Sequence, residues 1–165
     1  IYTSLFVGAS DVYKRQGLYG GTYATDNSGT IQYVSIRHGG AEIGEGNEIN
    51  GLTLGGIGSG TTIDHIEVIA NVDDGIEFFG GTVNATNLLV WGQGDDALDI
   101  DQGYSGTIDG AYIILESASD HGLEIDGPEG SALGSFTIKN TTIIGATLNC
   151  NALGCLLYTS DAADE

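Results

Sequence analysis

One phrase recurs along this chain and limits what it can fold into. Asp73-Asp74-Gly75-Ile76-Glu77-Phe78, Asp95-Asp96-Ala97-Leu98-Asp99-Ile100 and Asp120-His121-Gly122-Leu123-Glu124-Ile125 are near-copies, and a weaker copy, Asn50-Gly51-Leu52-Thr53-Leu54, precedes them. Their small residues, Gly51, Gly75, Ala97 and Gly122, lie 24, 22 and 25 residues apart. A unit of that size cannot bury an apolar face alone and must stack on its neighbours, which is the signature of a solenoid.

Each repeat holds three short strand-like runs. In one they are Thr61-Thr62-Ile63, Ile66-Glu67-Val68-Ile69 and Gly75-Ile76-Glu77-Phe78-Phe79, punctuated by Gly, Asn and Asp. No window sustains apolar residues at helical spacing. The period-two alternation of β-branched and aromatic residues favours strand throughout. The expected fold is all-β, a right-handed parallel β-helix of about four to five coils. Ile66, Val68, Ile76 and Phe78 should point inward, stacked over Leu88, Val90, Leu98 and Ile100, then over Ile113, Leu115, Leu123 and Ile125. A β-sandwich would not repeat such a phrase in register. The first coil is longer, stepping 32 residues from Ile31 to Ile63, which makes Arg37–Gly46 a candidate side loop.

Composition narrows the partners. Acidic residues number 23 against 4 Lys and Arg, for a net charge of −19. Nucleic acid is excluded, because its phosphates require Lys and Arg. Divalent cations and neutral or cationic ligands are favoured instead. The 28 Gly and 41% hydrophobic residues fit tight turns between strands rather than disorder. Two cysteines, Cys150 and Cys155, make neither a disulfide framework nor a metal site.

Both ends break the pattern. Asp11-Val12-Tyr13-Lys14-Arg15-Gln16 resembles the translated transposon end of a sequencing-library adapter, and the stretch from Cys155 to Glu165 resembles its reverse complement. Residues 1–16 and 155–165 are therefore expected to be non-native tails, and 17–154 a β-helix fragment of a longer protein with neighbouring domains. No membrane span is visible, and a fragment of this kind would show no signal peptide.

Stacked coils sit about 4.8 Å apart. Glu77, Asp99 and Glu124 then form an outward column, with Phe79, Asp101 and Asp126 beside it and Asp73, Asp95 and Asp120 lining the adjoining turn. Opposed like charges destabilise a sheet. A cation bridges them, their pKa values rise, or the side chains splay into water. Oxygen-only donors suit Ca²⁺ rather than zinc, so Glu77, Asp99, Asp101, Glu124 and Asp126 are the candidate ligands. A solvated acidic face holding no ion is the plain alternative. Trp91 should face outward with Glu67 and Glu116, an apolar platform with a polar rim that suits a glycan. Cover by a side loop or a neighbouring domain is the competing reading. His65, beside Asp64 and Glu67, reads as a surface histidine.

Two resemblances add to this. Asn71-Val72-Asp73-Asp74-Gly75, Gly94-Asp95-Asp96 and Ser119-Asp120-His121-Gly122 resemble the Asn-Thr-Asp-Gly, Gly-Asp-Asp and Gly-His-Gly motifs of polygalacturonase-type glycoside hydrolases. That family is inverting. The resemblance implies Asp95 as the acid, Asp74 and Asp96 holding water, and His121 supporting them. Asp120 departs from the family's glycine, and the family's Arg-x-Lys motif is missing from this sequence. Longer phrases, among them Gly17-Leu18-Tyr19-Gly20-Gly21, Asn47-Glu48-Ile49-Asn50-Gly51 and Phe78-Phe79-Gly80-Gly81-Thr82-Val83-Asn84-Ala85, resemble a largely uncharacterised family of pectin-lyase-like β-helix proteins of Gram-negative bacteria. That resemblance implies secretion or display at the cell surface. The function expected is a secreted or surface β-helix that binds Ca²⁺ or glycan or serves as a scaffold. The alternative is a polygalacturonase-like inverting hydrolase of polysaccharide.

Overall fold

The computed structural model describes residues 5–7, 21–41, 43, 49–127 and 134–146. Every regular element among them is a strand. They are β1 (Leu5–Val7), β2 (Thr30–Arg37), β3 (Leu52–Gly55), β4 (Thr62–Ile69), β5 (Ile76–Phe79), β6 (Asn84–Trp91), β7 (Leu98–Asp101), β8 (Thr107–Ile114), β9 (Leu123–Gly127), β10 (Thr137–Lys139) and β11 (Thr142–Ile144). One sheet runs in the order β1-β3-β5-β7-β9, and the other, whose strands β2, β4, β6 and β8 have eight residues each, in the order β10-β8-β6-β4-β2, with β11 also on β8. All pairings are parallel. The chain is a parallel β-helix whose coils each contribute to both sheets.

β1 lies within the stretch read as a non-native tail, and its backbone pairs Leu5–Val7 with Leu52–Leu54 of β3. Residues 1–4, 8–20, 42, 44–48, 128–133 and 147–165, part of the first coil's side loop included, lie outside the described residues. Cys150 is among them.

The three strand-like runs per repeat are present, but the first two are one strand bent in its middle. The ladder between β4 and β6 pairs Asp64 with Thr86 and Ile66 with Leu88, stepping over His65 and Asn87. Those two residues, with Tyr33, Gly110 and Asn140, have φ between 53° and 83°, one per coil. A left-handed residue turns a corner without breaking β2, β4, β6 or β8, while at Asn140 it parts β10 from β11. It also resets the alternation, so Ile63 and Ile66, three apart, both point inward and are buried. At non-glycine corners this conformation costs about 1–2 kcal/mol. Side-chain contacts offset it: His65 stacks on Tyr33 with ring centroids 4.6 Å apart, and Asn87 donates to Asp64 Oδ1 at 2.9 Å.

The core is a set of vertical columns. Leu52, Ile76, Leu98 and Leu123 form one, Leu54, Phe78, Ile100 and Ile125 another, and Val68, Val90 and Ile113 a third. All but the half-buried Ile125 are buried, each contributing roughly 1.5–3 kcal/mol over exposure. The expected stacking needs one correction. Leu88 and Val90 sit against Ala111 and Ile113, rather than Ile113 and Leu115, because Gly110 takes the corner opposite Asn87. Leu115 is buried just beyond the strand end. The small repeat marker also has a cause: a Cβ on Gly75 would come within 2.5 Å of Val90 Cγ1 and 2.6 Å of the Ala97 carbonyl oxygen. Tyr104 closes the core beside Phe78, its hydroxyl donating to the Val83 carbonyl at 2.7 Å.

Candidate functional site

The acidic pairs sit in the turns that lead into the short strands, and their two members do different things. First members face out: Asp73, Asp95 and Asp120 line an open groove of about 490 Å³ together with Val72, Gly94, Ala118 and Ser119. Second members turn inward and staple one coil to the next. Asp74 Oδ1 accepts the Asp96 N–H at 3.1 Å, and Asp96 Oδ1 accepts the His121 N–H at 2.7 Å. These bonds satisfy turn amides that the ladder leaves over. Asp96 Oδ1 also lies 2.9 Å from His121 Nδ1.

The outward column is in register as expected, with Thr53, Glu77, Asp99 and Glu124 on successive strands. Its middle is nevertheless buried, Glu77 being 7% and Asp99 8% exposed. The neighbouring column differs from expectation. A bulge between Ile100 and Asp101 pairs Asp101 with Gly127, leaving Asp126 exposed and off the column. Phe79 does stand opposite Asp101.

The acids gather into nests that take members from both turn and strand. Carboxylate oxygens of Asp74, Glu77 and Asp99 lie within 4.8 Å of one another, as do single ligand atoms of Asp96, His121 and Glu124, and of Asp73, Asp74 and Asp95. In the first nest, Asn50 Nδ2 donates to Glu77 Oε2. Asp99 Oδ1 is buried and has no hydrogen-bond partner. Burial, reinforced by the neighbouring charges, pushes Asp74 up to about 9, Glu77 to about 10 and Asp99 to about 8. Glu124 rises to about 7 through its hydrogen bond to Asp96 and through burial. Asp126 rises by burial and by the charge of Glu124. For His121, burial of the ring opposes protonation, but Asp96 and Asp120 outweigh it and raise the pKa.

Of the four residues matched to hydrolase motifs, Asp95 reaches the groove, Asp74 and Asp96 are buried in backbone contacts, and His121 is half-buried against Asp96. The five expected metal ligands divide. Glu77 and Asp99 join Asp74, Glu124 joins Asp96 and His121, Asp101 is half-buried beside Asp99's column, and Asp126 is exposed. Sequence reasoning missed Asp74 as a partner of Glu77, because the turn folds it back toward the strand it precedes. On the other sheet, Trp91 Nε1 donates to Glu116 Oε1 at 2.8 Å, and Trp91 remains 42% exposed. Tyr112, diagonal to it on β8, is 45% exposed. Glu67 belongs to a separate network with Ser35 and Arg37, which lowers its pKa.

Among comparisons with known proteins, the sequence pattern of the pectate-lyase-like beta helix domain matches residues 7–158. No curated protein and no solved structure matches the chain.

Proposed function

This chain belongs to the pectate-lyase-like β-helix domain family, and from that premise we propose that it is a secreted or cell-surface β-helix that binds Ca²⁺ through Asp74, Glu77 and Asp99. One observation carries the reading: a buried carboxylate oxygen, Asp99 Oδ1, lacks a hydrogen-bond partner while two further carboxylates crowd it. A buried acceptor in that state costs about 1–3 kcal/mol, more when charged, unless something positive meets it. The donors are all oxygen, with the Asn50 amide and Asp101 close by, which suits a hard cation taking roughly six to eight oxygens. Calorimetric titration of the chelator-treated chain tests this. Heat of binding and a raised Tm with Ca²⁺, both lost in Asp99→Asn, are expected; no heat and no shift in the wild type would sink the reading.

The glycan partner belongs to the Trp91 face, supported by an indole edge already satisfied by Glu116 and a ring left open to solvent. A second reading, inverting hydrolysis of polysaccharide, is favoured by the groove. Asp95, matched to the family's acid, stands there between Asp73 and Asp120, about one coil spacing from each, so the groove gathers carboxylates from three successive coils at an open surface. Release of reducing sugar by the wild type, abolished in Asp95→Asn, is the result this reading requires. A wild type inert across a polysaccharide panel removes it.

A further inference from the structure

The solenoid repeats its turn and its strand together, so one coil on from the acidic nest Asp96 and Glu124 stand where Asp74 and Asp99 stood, and His121, from the following turn, joins them as third donor. The Gly75 N–H bonds to the Asp96 carbonyl and the Ala97 N–H to the His121 carbonyl, which makes Asp74, Asp96 and His121 equivalent positions on successive coils. Glu77, Asp99 and Glu124 are equivalent by register. Where the second coil offers a turn carboxylate, the fourth offers an imidazole. The resulting group of Asp96, His121 and Glu124 draws on two coils.

Its geometry differs from that of a loose acidic patch. The Asp96 side chain is 2% exposed, and its Oδ1 lies 2.9 Å from His121 Nδ1. Neighbouring donors on a tetrahedral metal with bonds of about 2.1 Å stand about 3.4 Å apart, so this hydrogen-bonded pair needs to part by only about 0.5 Å, with loss of the shared proton, to hold a metal. Glu124 adds a carboxylate oxygen within 4.8 Å of both the Asp96 oxygen and the imidazole nitrogen, a third donor facing the same point. On the ring's far side, His121 Nε2 lies 3.5 Å from Asp120 Oδ1. A carboxylate at that nitrogen holds a ligating imidazole in its tautomer and orientation, leaving Nδ1 for the metal.

We propose that Asp96, His121 and Glu124 form a second metal site, for a borderline divalent transition metal such as Zn²⁺, separate from the Ca²⁺ nest. The imidazole sets the class, since nitrogen donors favour Zn²⁺ and its neighbours in the first transition row over Ca²⁺. Asp120 acts as the positioning residue for the ring.

Calorimetry of the full chain after chelator treatment, with Zn²⁺ alone and with Zn²⁺ in excess Ca²⁺, tests the site. Zn²⁺ is expected to bind in both conditions. His121→Gln should weaken it by more than the roughly 10–100-fold carried by an outer-shell partner, while leaving the Ca²⁺ response in place. His65→Gln should leave Zn²⁺ binding unchanged. Absence of Zn²⁺ binding in the wild type, equal binding in His121→Gln, or loss only in His65→Gln would each overturn the proposal. If His121→Gln does not fold, NMR of the wild-type imidazoles decides: Zn²⁺ must shift the His121 ring, and an unmoved resonance refutes the site. The Ca²⁺ reading stands or falls on the Ca²⁺ titration, so either can fail alone.

Discussion

Replacing Asp99 with Asn should stabilise the protein at pH 8 in the absence of divalent cations and, near pH 4, where no charge is relieved, cost about 1–3 kcal/mol for the buried amide. In the folded chain Asp99 holds its proton up to about pH 8, against an ordinary value of 3.8. Between those values the native state carries a proton that the unfolded chain has released. The contribution of Asp99 to stability is therefore greatest below about pH 4 and falls by about 1.4 kcal/mol per pH unit until the native carboxyl also ionises. Over the whole interval the loss reaches about 6 kcal/mol as an upper bound. Part of it comes from charges on Asp101 and Glu124 that remain in the variant. Asn keeps the shape and removes the charge. With an amide burial cost of about 1–3 kcal/mol set against the gain, roughly 3 kcal/mol should survive at pH 8. For a chain of this size that is about 6–12 °C in Tm. Thermal unfolding followed by far-UV circular dichroism, in chelator at matched ionic strength, reads it directly. With Ca²⁺ added the order should reverse, because only the wild type keeps its ligand. If Asp99→Asn lowers Tm equally at pH 4 and pH 8 without metal, the electrostatic account of this nest is wrong.

Three further outcomes are expected. Gly75→Ala should cost about 1–3 kcal/mol, because its methyl group would meet Val90 and the Ala97 carbonyl at under 3 Å; chemical denaturation would show it as a lower midpoint at unchanged slope. Tyr104→Phe should cost about 1–3 kcal/mol by leaving the buried Val83 carbonyl unpaired, and an unchanged Tm would mean that another donor takes its place. Trp91 is the only tryptophan, so emission excited selectively in the indole, away from the 8 tyrosines, reports its surroundings, and titration with a neutral polysaccharide should change it. Emission that stays flat across a panel of glycans would exclude the indole face as a platform.

The fold was legible because its period and its alternation agree. Gly51, Gly75, Ala97 and Gly122 mark places where only a small residue passes beneath the facing strand, so the spacing of those letters is the spacing of the coils. Corners were harder to read. Tyr33 carries no compositional sign of a left-handed backbone, whereas His65, Asn87, Gly110 and Asn140 do. The Glu77–Asp99–Glu124 column followed from strand periodicity alone. Its burial did not, nor did the company of Asp74, since a turn's path is not a periodic quantity. The bulge after Ile100 likewise has no local signal, and it moved Asp126 off the column.

The staples from Asp74 to the Asp96 amide and from Asp96 to the His121 amide bear on how such a protein can change length. The Asp96 coil offers an amide to the coil before it, and its own carboxylate serves the coil after. A whole coil duplicated in tandem would find both of its needs met by its neighbours and would leave theirs met as well. A partial insertion would strand an amide on one side and a carboxylate on the other. Growth or shrinkage by complete repeats is thus the cheap route for this architecture, and the acidic phrase is what makes the units interchangeable.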